Sequence, residues 1–100
     1  MPNEQVKYRQ SAKNRTDEPR QFSVMLHNDD FTTMEFVVEL LMKIFYKSLP
    51  EAETIMLAVH HKGYATVGRY SYDIACTKAA RATEMARAAS FPLRLTVEPA

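Results

Sequence analysis

Two short polar groups in this 100-residue chain hold the side chains best suited to grip a ligand: Asn28-Asp29-Asp30 and His60-His61. Amide and carboxylate oxygens accept hydrogen bonds, and a neutral imidazole nitrogen adds one more acceptor. Such a set suits a cation with several N–H donors. Met56 and His60 are four residues apart, which puts them on one face of a helix with Val59 beside them. Met34, Val37 and Leu41 share a face of a second expected helix, which begins just after the Asn-Asp-Asp turn. If these helices pack as a hairpin, the start of one lies near the end of the other. Asn28, Asp29, Asp30 and His60 then rim a surface floored by Met34, Val37, Met56 and Val59. That is a place for an ammonium with a hydrophobic group attached, and unbranched Met adapts well to such a floor. Each piece alone also has a plainer use: a turn and cap, a histidine at a helix C-terminus, or core packing.

Other chemistry is poorly served. His60 and His61 are neighbours expected to diverge on a helix, and no H-x-x-x-H or H-E-x-x-H spacing occurs, so no metal site is expected. There is no G-x-S-x-G elbow, and the single Cys76 sits in an Ala-rich segment as a small buried residue, so catalysis is not expected. One cysteine excludes an internal disulfide and suggests a reducing compartment. Thirteen basic and twelve acidic residues leave a net charge of +1, too balanced to point to nucleic acid or a membrane surface. No apolar run approaches the roughly 18 residues of a membrane span, and the polar start does not read as a signal peptide. A soluble, cytoplasmic, cofactor-free domain is expected.

The elements that must position the rim can be read in order. Phe22, Val24 and Leu26 alternate with Ser23 and Met25, a short strand running into the Asx-rich turn. Thr32-Thr33-Met34-Glu35 has the form of a capping box, in which Glu35 reaches back to the cap. Apolar residues at 34, 37, 38, 41 and 45 then follow a 3.6-residue period. Ser48-Leu49-Pro50-Glu51 starts a second helix, with Pro50 where no donor is needed, and Gly63 ends it. Tyr64 to Tyr70 reads as a strand in which Gly68 marks a bulge or a close approach. Ser71 caps a third helix, whose Ala75, Ala79, Ala82, Ala86 and Ala89 form a small-residue stripe and which ends near Ser90, ahead of Pro92. Leu93, Leu95 and Val97 alternate with polar residues in a last strand. The expected fold is α+β in the order β-α-α-β-α-β, a three-stranded, mostly antiparallel sheet with three helices on one face.

Residues 1–20 carry five basic and three acidic side chains and few apolar ones, and are read as a flexible extension to a core domain at 21–100.

The stretch Val24-Met25-Leu26-His27-Asn28-Asp29-Asp30-Phe31-Thr32-Thr33-Met34-Glu35-Phe36-Val37, followed by Met56-Leu57-Ala58-Val59-His60 and Gly63, closely resembles the ClpS family. These are bacterial adaptors of the ClpAP protease that recognise N-end-rule degradation signals. The resemblance covers about residues 21 to 100. It implies a non-enzymatic adaptor that holds substrates by a free α-amino group and a bulky hydrophobic first residue, of the Leu, Phe, Tyr or Trp type. It places α-amino recognition on Asn28, Asp30 and His60, with Asp29 at the first peptide unit. The side-chain pocket falls on Leu26, Thr32, Met34, Val37, Met56, Val59 and Leu93. Docking on the ClpA N-terminal domain falls on Asp73 and Lys78, and the extension serves handover to the unfoldase. A monomer is expected. Two positions depart from the family's usual pattern: Thr33 stands where many relatives have proline, and His27, where an aliphatic residue is common, puts a titratable group either beside the pocket or facing outward. The competing reading is a regulatory module that docks on ClpA without binding N-termini.

Overall fold

The computed structural model describes residues 20–100, so the expected extension, apart from Arg20, lies outside the described residues. The elements are β1 (Phe22–His27), α1 (Met34–Phe45), α2 (Leu49–Lys62), β2 (Tyr64–Tyr70), α3 (Tyr72–Ala88) and β3 (Arg94–Pro99). They run in the expected β-α-α-β-α-β order. β1 is the central strand, hydrogen-bonded antiparallel to β2 on one side and to β3 on the other. The sheet's inward face is set by Val24 and Leu26, both fully buried. Alternation turns Met25 and His27 to the opposite face, where Met25 lies between Thr66 and Thr96. The register to β2 slips at Val24–Met25: Val24 faces Gly68 and Met25 faces Thr66, so Val67 is the bulged residue. Gly68 is the close approach beside it, because a Cβ there would lie 2.6 Å from the Tyr70 hydroxyl oxygen.

The α3 alanines explain how a helix lies close to this sheet. Ala75, Ala79, Ala82 and Ala86 are buried in the core with Val24, Leu26, Leu40 and Leu41. Ala89 was expected in the stripe but is the exposed C-cap, because α3 stops at Ala88 and Ser90 turns to φ 65°. The role expected of the Ser71 side chain is also corrected. Ser71 occupies the N-cap position, but its hydroxyl makes no capping bond; the first turn is exposed, where water can serve the free N–H groups.

The helical hairpin is held differently at its two ends. Ser48 and Glu51 form a full capping box at the start of α2, with Ser48 N–H donating to Glu51 at 2.9 Å and Glu51 N–H to Ser48 Oγ at 3.3 Å. At the end of α1, Tyr46 adopts the left-handed conformation (φ 55°, ψ 33°) usually left to Gly or Asn. Its ring lies 4.7 Å from the Lys78 ammonium, and that ammonium donates to the Ile44 carbonyl at 3.1 Å. Lys78 thereby satisfies one of the free carbonyls of the last turn and places a positive charge at the negative end of the helix.

Candidate functional site

The local structure at the other end of the hairpin starts with Asp29. Its Oδ1 accepts from the N–H of Phe31 at 2.8 Å and of Thr32 at 2.7 Å, and its Oδ2 accepts from the Thr32 hydroxyl at 2.7 Å. This Asx turn holds residues 29–32 in one shape. Burial by itself would raise the Asp29 carboxyl. The Thr32 N–H and hydroxyl, the Phe31 N–H and the Arg87 charge together outweigh burial and hold it below the usual carboxylate range.

Because Asp29 takes both Thr32 donors, the N-cap of α1 moves one residue on, to Thr33, whose Oγ1 accepts from Phe36 N–H at 3.2 Å. Glu35 then sits one position too early to reach back. The capping box expected at Thr32–Glu35 is therefore absent, and only its Thr half survives, one residue later.

A single backbone contact ties this turn to α2. Asn28 N–H donates to the Gly63 carbonyl at 2.8 Å. Gly63 ends α2 in the left-handed region at φ 95°, with its own N–H on Val59 O at 2.8 Å. The chain reversal there needs a residue without Cβ strain, and it brings Asn28 alongside the turn that carries His60.

The result is a cavity of about 500 Å³ between the turn, the start of α1 and the end of α2. Of the expected binding residues it gathers Asn28, Asp29, Asp30 and His60 at the rim, together with Thr32, Met34, Val37, Met56 and Val59. Leu26 and Leu93 do not line it, contrary to the expected pocket. Leu26 is inward-facing on the central strand and Leu93 precedes β3, and both are fully buried in the same core as Val37 and Val59. Phe31, Thr33 and Glu35 line the cavity and were not anticipated. Phe31 is 75% exposed, and its sole signal in the sequence is an aromatic residue that belongs to neither the strand's nor the helix's apolar period.

Apart from the Thr33 cap, the loop's described side-chain hydrogen bonds run through Asp29. Among the described residues, none bonds to the side chains of Asn28, Asp30 or His60. The two histidine rings do not diverge as expected: they meet edge to face with centroids 5.4 Å apart, the packing preferred between rings. His27 takes the outward of its two open orientations. It points to the outer face of the sheet, with Nε2 2.8 Å from Thr96 Oγ1, and does not line the cavity. Burial and the Arg94 charge lower its pKa, against an opposing pull from Glu98.

Asp73 and Lys78 lie away from the cavity, Asp73 exposed in the first turn of α3. The Lys78 ammonium is held against Ile44 O and stands 4.7, 5.5 and 6.0 Å from the ring centres of Tyr46, Tyr70 and Phe45. A floor of two methionines and two valines with acceptors along one edge can hold an apolar group whose attached cation reaches the rim.

Comparison with known proteins places this arrangement. Residues 17–96 match the family described as ATP-dependent Clp protease adaptor protein ClpS. The chain is 51% identical over 85 residues to the ATP-dependent Clp protease adapter protein ClpS of Desulfatibacillum aliphaticivorans, covering 85% of this chain and 82% of that protein. It is 52% identical over 81 residues to the ClpS of Syntrophus aciditrophicus, covering 81% and 76%. Among solved structures it is similar to Agrobacterium tumefaciens ClpS2 bound to L-phenylalaninamide, with a TM-score of 0.81 and 41% identity, covering 83% of this chain and all of that one.

Proposed function

Since the chain belongs to the ClpS family, and is on that ground a Clp protease adaptor and not an enzyme, we propose that its cavity holds the first residue of a substrate protein by its free α-amino group and its hydrophobic side chain. The observation that carries this reading is the meeting of Asn28, Asp30 and His60 on the rim of one cavity floored by Met34, Val37, Met56 and Val59. The phenylalaninamide bound to Agrobacterium ClpS2 supports it, being an α-amine with an aromatic side chain attached.

A free α-ammonium is a cation with three donors, whereas an internal peptide nitrogen is neutral with one donor. The Asn28 amide oxygen, the Asp30 carboxylate and a neutral His60 nitrogen accept from the ammonium, so chain ends are selected over chain interiors. Asp29 was assigned to the first peptide unit; with three internal bonds already on its carboxylate, its larger part is to hold the turn that presents Asn28 and Asp30. Leu26 and Leu93 support the pocket from behind, as the packing under Val37 and Val59.

Each charge-assisted hydrogen bond contributes about 1.5–3 kcal/mol, and burying a Leu or Phe side chain about 1.5–3 kcal/mol more. After the entropy of association, the sum corresponds to roughly micromolar affinity. β-Branched first residues fit poorly, because a narrow slot tolerates branching at Cγ better than at Cβ. Delivery then goes to the ClpA N-terminal domain through the α3 surface of Asp73 and Lys78, in the cytoplasm and as a monomer, with residues 1–20 serving handover. The test is fluorescence anisotropy with Leu-, Phe-, Tyr-, Trp- and Ile-initiated peptides and an acetylated Leu control. Tight binding of the first four, weak binding of Ile and none of the acetylated peptide is expected. Equal binding of acetylated and free peptides would overturn the reading.

A further inference from the structure

Phe31 lines a second cavity as well as the first. This neighbouring hollow, about 490 Å³, is bounded by Phe31, Arg87, Ser90, Phe91 and Pro92. Phe31, 75% exposed, thus borders both cavities. The far side is held by contacts of its own. Phe91 packs on Phe36 with ring centres 4.8 Å apart, and Arg87 Nη1 donates to the carbonyls of Phe91 at 2.9 Å and Leu93 at 2.8 Å. The guanidinium is therefore a permanent positive charge fixed at the edge of an apolar hollow.

Geometry selects what reaches it. Groups packed on opposite sides of one aromatic ring, each about 3.5–4 Å from it, lie roughly 7–8 Å apart. In an extended chain, side chains two residues apart face the same surface at a spacing of roughly 6.6–7 Å. We propose that the second cavity takes the third side chain of a bound polypeptide whose first side chain fills the first cavity, and that it prefers an aromatic or other bulky apolar group. This rests on the terminal-residue reading above. Phe31, Phe91 and Pro92 supply the apolar contact.

The experiment is anisotropy with free peptides beginning Leu-Gly-Phe, Leu-Phe-Gly, Leu-Gly-Lys and Leu-Gly-Gly, and with acetylated Leu-Gly-Phe. Each is measured on the full chain and on Phe31→Ala, an exposed position whose loss leaves the Asp29 turn bonded. Leu-Gly-Phe is expected to bind about five- to tenfold tighter than Leu-Gly-Gly, the effect of burying part of one aromatic side chain. Leu-Gly-Lys should gain less than Leu-Gly-Phe, and the Phe advantage should vanish in Phe31→Ala. Equal affinities for Leu-Gly-Phe and Leu-Gly-Gly, an advantage confined to Leu-Phe-Gly, or one that survives in Phe31→Ala would each overturn the third-residue site. If such a result comes with no binding of the acetylated peptide, the first-residue pocket stands. Binding of the acetylated peptide as tight as the free one would remove both.

Discussion

The two ends of the α1–α2 hairpin use similar residue types to opposite effect. At the end near Ser48, polar groups are spent on the fold: the Ser48–Glu51 box closes on itself, and Lys78 donates to Ile44 O under the Tyr46 ring. At the end near Gly63, Asp29, Thr32 and Thr33 are spent that way, and the side chains of Asn28, Asp30 and His60 surround a cavity with no bonded partner among the described residues. A polar side chain committed within the fold contributes stability; one left unpaired at a preformed apolar cavity contributes binding. The hairpin thus has a closed structural end and an open end whose unpaired side chains are the ones proposed to bind.

The strongest way to break that contrast is to empty the open rim. Asp30→Ala combined with His60→Ala should lower affinity for a free Leu-initiated peptide by roughly 100-fold or more, the loss of two charge-assisted bonds. The thermal midpoint should stay within about 2 °C of the parent, since neither side chain supports the fold. A large drop in the midpoint with little change in affinity would reverse the assignment.

Gly63→Ala probes the joint between the two functions. A Cβ there meets nothing within 4 Å, so the cost is conformational, at φ 95°. About 1–2 kcal/mol of stability should go, or roughly 4–15 °C in the thermal midpoint. Peptide affinity should fall with it, because the Gly63 carbonyl holds Asn28.

Lys78→Met isolates the closed end. It removes a hydrogen bond to Ile44 O and a cation–π contact, about 1–2 kcal/mol by chemical denaturation, and should leave peptide affinity within twofold. If docking on ClpA is also lost, Asp73→Ala, which touches neither Ile44 nor the rings, separates the docking role from the structural one.

Asp29 gives the smallest effect, and one with a fixed sign. Its folded-state pKa is depressed, so its stabilisation is present above the ordinary carboxylate value near 3.9 and is lost as pH falls through the lower folded value. Asp29→Asn should therefore flatten the acid limb of a stability–pH profile and leave the profile near neutral pH parallel to the parent. An unchanged acid limb would show that the turn does not depend on the charge.

Much of this contrast is legible in the residues. Met34, Val37, Met56 and Val59 fall at helical spacing, and a hairpin of helices leaves few ways to arrange them, so the floor and the rim beside it follow from period and connectivity. What escapes is competition for the same donor. Thr32 looks like a cap until Asp29, three residues earlier, takes its N–H and hydroxyl and shifts the helix start to Thr33. Lys78 reads as a surface charge, because the Ile44 carbonyl it serves is 34 residues away and on another helix. Leu26 and Leu93 carry the right chemistry for a pocket, but both are buried in the core and neither lines the cavity. His27 shows the strand's alternation, turned away from the cavity by being odd where Leu26 is even.

The most direct examination is amide NMR of the full chain titrated with leucinamide and, separately, with N-acetyl-leucinamide. Shifts centred on Asn28, Asp30, Met34, Val37, Met56, Val59 and His60 with the free amine, and none with the acetylated compound, are the outcome this account requires. Shifts of the same residues with both compounds, or shifts confined to the α3 surface around Asp73, would contradict it.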